Sequence, residues 1–463
     1  MKISLLDIVK AQKAGKAIGS YSVCSANRHV LEAAIKQAMI DKTLVCIEAT
    51  SNQVDQFGGY TGMTPDKFVS YVQGIAHDMG MPADRVILGG DHIGPNAWKK
   101  EHAATAMSKA CHLVRDYVAA GFAKIHFDAS MCCADDKATD NGTLDPRIVA
   151  ERAAELCRVA EETWAKNEPK GQAPVYVIGT EVPPPGGATE QLSTVNVTKV
   201  EDVEETIEMT RKAFLARNLE SAWERVFAVV VQPGVEFGDD SVVEYDPAKA
   251  RALSDYIQKH ERLVYETHST DYQTEHGLHC LVKDHFAVLK VGHWLTFAFR
   301  EALFALESIE KEWLGNKGNV ELSGLRQTLE ETMLKHPDHW RKYYQGDPER
   351  LRFCRMFSYS DRCRYYWPMS QLTQSVNRLL KNLEIAPVPL TLISQYLPGQ
   401  YDAIRTGAID ARPQVLIFRK IMEVTSKSLS VNKILLYCAG SAIDSGHERN
   451  TKLDRVGRNV GES

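Results

Sequence analysis

No stretch of the 463-residue chain approaches the roughly 18 consecutive apolar residues of a membrane span. The N-terminus, MKISLLDIVKAQKAG, has an apolar patch too short and too broken by charge for a signal h-region. Basic excess is missing as well. With 55 Lys+Arg against 60 Asp+Glu the formal net charge is -5, which argues against a protein that works by wrapping nucleic acid. The ten cysteines (24, 46, 111, 132, 133, 157, 280, 354, 363 and 438) form no C-x-x-C pair, and several sit in apolar runs such as LVCIEA and AELCRVA. Neither a disulfide framework nor a zinc ribbon is expected, and free thiols in a reducing compartment are. There is no internal repeat and no low-complexity tract. These absences leave a soluble, cytoplasmic chain.

What is present is an alternation. Short β-rich apolar runs fall at 18–26, 43–49, 85–92, 124–130, 175–182, 225–234, 262–269 and 286–292. Between them lie stretches such as HVLEAAIKQAMI and PRIVAERAAELCRVAEETWA, whose apolar residues recur at three- and four-residue spacing. Strand cores such as VILGG and FAVVV are apolar on both faces, as parallel strands buried between layers must be. The count of eight predicts an α/β fold, a (β/α)8 TIM barrel over residues 1–310. From 311 to 430 the pattern turns helical, with an aromatic and basic run, FCRMFSYSDRCRYYWP. That segment is expected to pack on the barrel as a helical C-terminal extension, at its mouth or at a subunit contact. Residues 431–463 read as a polar tail.

Nearly every strand ends in polar groups: Glu48; Asp91 and His92; His126 and Asp128; Glu181; Gln232; Glu266, His268 and Asp271; Lys290, Gly292, His293 and Thr296. A barrel gathers all eight ends at one mouth, where imidazoles and carboxylates suit a divalent cation. Such an ion can polarise a substrate carbonyl, and a neighbouring carboxylate such as Asp91 can act as acid or base. The segments STDY and KVGHWLT, the second running into a helix, suit an anion such as a sugar phosphate. Any one of these features fits a structural role. Seven successive strands with polar groups at the same end do not arise easily by accident.

The runs SVCSAN, IEATSNQVDQFGGYTGMTP, LGGDHIGPN, KIHFDASMCCADD, VIGTEVPPPGG, YETHSTDYQT, LKVGHWLTFAFRE and FSYSDRCRYYWP resemble the Z subunits of D-tagatose-1,6-bisphosphate aldolase, the GatZ/KbaZ family. The resemblance implies a barrel like that of class II aldolases. It also implies a non-catalytic partner that supports the activity and stability of a catalytic Y-type subunit in galactitol or amino-sugar catabolism, within an oligomer. Against the class II aldolase pattern, Asp91-His92, Asp128, Glu181, His268 and Lys290/Thr296 are similar in position and type. Gln232 stands where that pattern has a zinc-binding His, and Gly292 where it has an Asn. The expected metal set is His92, Glu181, His268 and Gln232, for zinc, with manganese or nickel as alternatives. Asp91 and Asp128 are the expected catalytic pair. Glu48, Ser269, Thr270, Lys290, Gly292 and Thr296 are expected to bind a phosphorylated ketohexose. A second reading is a metal-dependent C4 epimerase interconverting fructose 6-phosphate and tagatose 6-phosphate. A kinase is not expected, because no G-x-x-x-x-G-K-[ST] loop is present.

Overall fold

A computed structural model describes residues 4–139, 142–167, 173–179 and 195–429 of the chain. Its centre is the expected barrel. The strands are β1 (Ser20–Cys24), β2 (Val45–Thr50), β3 (Val86–Ile93), β4 (Lys124–Phe127), β5 (Val175–Gly179), β6 (Val226–Val230), β7 (Val264–Thr267) and β8 (Phe286–Val291). Each pairs in parallel with the next, and β8 closes on β1, with Ser20 opposite Val288 and Val23 opposite Val291. All eight fall on the apolar runs that predict them.

Side-chain alternation does the sorting. On β4, Ile125 and Phe127 turn outward to the helical layer, where Phe127 stacks on Tyr176 at 5.2 Å. Lys124 and His126, two residues apart, turn inward and are fully buried. The helix Leu5–Lys13 closes the opposite end of the barrel. Its Leu5, Ile8 and Val9 join Val177, Val230, Val264 and Val288 in one apolar cluster. Gln12 of that helix donates to the carbonyls of Ile18 (2.7 Å) and Val282 (3.0 Å), just ahead of β1 and β8. The polar mouth is therefore at the other end.

The expected boundary at 310 falls inside one continuous helix, His293–Leu314. Later helices fold back onto it. The helix Pro413–Leu429 lies against both Arg28–Ile40 and His293–Leu314, burying Leu416, Ile417 and Ile421 completely. Residues 431–463 lie outside the described part of the chain. Among the described residues no helix is long and apolar enough to cross a membrane.

One buried ion pair pins the extension to the barrel. Arg300, on the helix after β8, meets Asp361 of the extension at 3.1 Å and lies over the Phe297 ring at 4.2 Å. Asp361 is fully buried and also accepts from the Thr296 hydroxyl at 2.6 Å. Its backbone is left-handed, φ 46°, a conformation that non-glycine residues hold only when their surroundings enforce it. Asp361→Ala would leave the Arg300 guanidinium buried without its counter-charge, at a cost of about 3–5 kcal/mol. Urea unfolding of the variant should show that loss, whereas removal of an exposed pair such as Arg412–Asp410 should change stability little.

Candidate active site

The mouth is built on a lattice of buried charge. Lys124 places its ammonium 2.6 Å from Glu48 and 2.6 Å from Glu266, and all three side chains are wholly inaccessible. Lys290 contacts Glu48 as well, and reaches Asp91 at 2.8 Å and Glu266 at 3.5 Å. Gly89 of VILGGDH makes room for it, since a Cβ there would stand 2.7 Å from the Glu48 side chain. Burial alone would raise the acids, but Lys124 and Lys290 outweigh it and hold Glu48 and Glu266 below the usual carboxylate range. Burial likewise opposes charge on the lysines, yet the surrounding carboxylates push both ammoniums up.

Beside the lattice stand three imidazoles. Ligating atoms of Asp91, His92, His126 and His268 all lie within 4.8 Å of one another, and all four residues are buried. Each ring is held from behind. Asp128 meets His92 Nδ1 at 2.8 Å and is itself fixed by the Ser130 hydroxyl at 2.6 Å. Glu266 meets His268 Nε2 at 3.2 Å. The Gly179 carbonyl lies 3.2 Å from His126 Nε2. A carbonyl only accepts, so that nitrogen carries the proton. Nδ1 then accepts the backbone N–H of His92 at 3.3 Å and lies 3.1 Å from Asp91 Oδ1. Carboxylate- and carbonyl-backed imidazoles are the usual surroundings of metal-binding histidines.

The charge balance agrees. Among the described residues Glu48, Asp91, Asp128 and Glu266 carry four negative charges and Lys124 and Lys290 two positive ones. The acids in excess face the imidazoles, where a cation, whether a proton on a ring or a metal ion, offsets them. Burial opposes ionisation of Asp91, but His92 and Lys290 hold it well below its ordinary range. Burial also disfavours a charged His92, which Asp91 and the Asp128 hydrogen bond nevertheless push up. A divalent cation fits this cluster.

The cluster opens into a cavity of about 170 Å³ lined by Cys24, Asp91, His92, His268, Ser269, Lys290 and Gly292 from the barrel. His293 begins the helix His293–Leu314 at its rim, and Asp271 accepts from the backbone N–H of Gly292 (2.9 Å) and Trp294 (2.8 Å). Burial pushes Asp271 up to about 6 against those hydrogen bonds. Further walls come from elsewhere, among them Tyr60 from the loop after β2, and Tyr343, Arg364 and Tyr365 from the extension.

The expected residues thus divide. Asp91, His92, Asp128, His268, Lys290 and Glu48 converge, and Ser269 and Gly292 line the cavity. Asp128 stands behind His92. Thr270 donates to the Lys290 carbonyl at 2.5 Å, and Thr296 is spent on Asp361. Gln232 turns its amide oxygen to the backbone N–H of Gly234 and Val235, both at 2.9 Å, so that oxygen shapes its own loop. Glu181 lies outside the described residues. His126 and Glu266, named among the strand-end groups but given no role, and Lys124 belong to the site, and Arg364 reaches it from the aromatic and basic run expected at the mouth or at a subunit contact. The period-2 pattern of KIHFD and YETH, which sets each of these groups two residues from another, was the available signal for the first three.

Residues 5–431 match the family described as D-tagatose-1,6-bisphosphate aldolase subunit GatZ/KbaZ-like. A probable tagatose 6 phosphate kinase of Sinorhizobium meliloti 1021 superposes with a TM-score of 0.81 and is 41% identical, over 89% of this chain and all of its own. A fructose-bisphosphate aldolase of Campylobacter jejuni gives a TM-score of 0.42 at 15% identity, over 82% of this chain and 92% of its own.

Metal analysis of the purified protein should find about one divalent ion per chain, as expected for a single cluster. His126→Ala and His268→Ala should each abolish it, and Gln232→Ala should leave it in place. The acid side of stability is a separate check, made on protein stripped with chelator. Glu48, Asp91, Asp128 and Glu266 are all lowered by folding, so the unfolded chain binds more protons. Their contribution is complete above the ordinary glutamate value of 4.5 and is lost as pH falls further. Lys124→Met should flatten that acid limb of a urea-unfolding series.

Proposed function

The chain belongs to the GatZ/KbaZ-like family of D-tagatose-1,6-bisphosphate aldolase subunits, and from that premise we propose that it is itself an enzyme, a C4 epimerase of ketohexose 6-phosphates that interconverts fructose 6-phosphate and tagatose 6-phosphate. One observation carries this reading. A polarised, cation-fitting cluster of Asp91, His92, His126 and His268 opens into a cavity of small-ligand size. The Sinorhizobium meliloti relative is described as a probable tagatose 6 phosphate kinase, which supports the same substrate class. Phosphoryl transfer is not favoured, because the chain has no phosphate-cradling G-x-x-x-x-G-K-[ST] loop.

The inversion needs no redox cofactor. Asp91 takes the proton from O4, the C3–C4 bond breaks, and its electron pair passes to the C2 carbonyl, giving an enediolate and glyceraldehyde 3-phosphate. The aldehyde turns its other face, and re-addition forms the C3–C4 bond with C4 inverted. His92, His126 and His268 would hold a divalent ion (zinc, with manganese or nickel also suited to N/O donors), which when bound supplies Lewis acidity at the C2 carbonyl. Lys290, 2.8 Å from Asp91, faces the charge that develops there. Ser269 and Arg364 supply a hydroxyl and a guanidinium at the rim for the phosphate, which keeps the aldehyde half from escaping while it turns.

The family description favours a second reading, in which the chain supports a Y-type aldolase subunit. The two are separated directly. Purified protein with fructose 6-phosphate and a series of divalent ions should yield tagatose 6-phosphate with the phosphate retained. Asp91→Asn should lower kcat about 10²–10⁴-fold, the usual weight of a general base. If no ion supports conversion while the protein raises the activity and heat tolerance of an added Y-type subunit, the helper reading holds instead.

A further inference from the structure

An inversion by cleavage and re-addition has a geometric consequence. When the aldehyde presents its opposite face, O4 leaves the site of its first proton transfer and reappears on another side. One fixed carboxylate cannot serve both positions.

The wall that the extension adds to the cavity holds a second group suited to the task. Tyr365 sits in the 3₁₀ turn Arg362–Tyr365 and lines the cavity that Asp91 enters from the barrel. Its ring is clamped, stacked on His339 at 4.7 Å and edge-on to Tyr60 at 4.7 Å. Arg364 donates from Nη2 to the Tyr365 oxygen at 2.9 Å. That guanidinium is aimed by the carbonyls of Ser360 (2.5 Å) and Asp361 (3.2 Å), so it rides on the segment that Arg300 pins. Resting on the epimerase reading, we propose that Tyr365 is the second proton-transfer residue: as Asp91 takes the O4 proton on cleavage, the Tyr365 hydroxyl gives its proton to O4 on re-addition, and the roles exchange in the reverse direction. Over one turnover Asp91 gains a proton and Tyr365 loses one, and solvent restores both.

The electrostatics point the same way. The charged and titratable groups around the phenol are Arg364 and Arg362 of its own turn, Lys342 and His339 of the preceding segment, and Tyr60 of the loop after β2. Burial would raise Tyr365, but Arg364, Arg362 and Lys342 outweigh it and lower the phenol. Tyr60, against the same cavity, is raised by its burial. Of the two phenols, Tyr365 is the one whose ionised form is stabilised.

The test uses the full-length protein loaded with its most active divalent ion and assays both directions with fructose 6-phosphate and tagatose 6-phosphate. Tyr365→Phe should lower kcat about 100-fold with KM within about threefold, and should erase the alkaline limb of the pH–rate profile in the direction where Tyr365 acts as acid. Arg364→Gln removes a positive neighbour, so the same limb should persist but move to higher pH. Tyr60→Phe should leave the limb unmoved. Should Tyr365→Phe fail to fold, the shift caused by Arg364→Gln decides. Retention of the limb in Tyr365→Phe, or an unshifted limb in folded Arg364→Gln, overturns the role of Tyr365 while leaving the epimerase intact. A wild-type protein inactive in both directions with every ion overturns the reaction itself.

Discussion

Everything at the mouth depends on an ammonium that never meets water. Lys124 is fully buried in the barrel, and moving such a group out of solvent costs several kcal/mol even after relaxation. Its two contacts, with Glu48 and Glu266 at 2.6 Å each, offset that cost only while both carboxylates stay charged and in place. The consequences run outward. Glu48 fixes Lys290, and Lys290 fixes Asp91; Glu266 fixes His268. A change at Lys124, which touches no cavity wall, would therefore be felt at residues that do.

The same lattice explains how much of the molecule its sequence discloses. Strands buried on both faces write themselves as continuous apolar runs, and all eight were legible for that reason. Asp91-His92 was legible because two ionisable groups at the end of such a run are expensive unless used. His126 was visible among the strand-end groups but carried no readable role, because a histidine flanked by Ile125 and Phe127 inside a strand also reads as part of the core. Its role follows from inward register with Lys124 and from the Gly179 carbonyl across the strand boundary, and neither is local in sequence. Gln232 misled in the opposite sense. It occupies a strand end, but an amide that can bond its own following turn does so before it reaches a distant partner.

Tyr365 was hidden by distance along the chain, and Arg364 was legible only as part of a run expected at the mouth or at a subunit contact. The aromatic and basic run was legible as something that must dock, but its place in the mouth depends on Arg300, Thr296 and Asp361, all of them buried. Backbone strain marks the same places. Seven described residues other than glycine have left-handed φ values, and three of them lie here: His92 (49°) in the imidazole cluster, Ser269 (55°) at the rim and Asp361 (46°) at the root of the turn that carries Tyr365. The others are Lys42, Asn218, Tyr272 and His285. Each costs of order 1–3 kcal/mol and persists because neighbouring contacts over-determine it.

That expense bears on whether the mouth is a working site or a relic. A buried ion pair is seldom worth more to stability than well-packed apolar side chains of the same volume. A barrel end whose only duty was to hold its shape for a partner would be at least as stable with Lys124, Glu48, Glu266 and Lys290 replaced by aliphatic residues. Surplus negative charge, oriented histidines and strained backbone at the rim all lower stability. They offer a return only when a cation and a negatively polarising substrate enter the cavity. The physical cost of the arrangement is what supports the proposed epimerase.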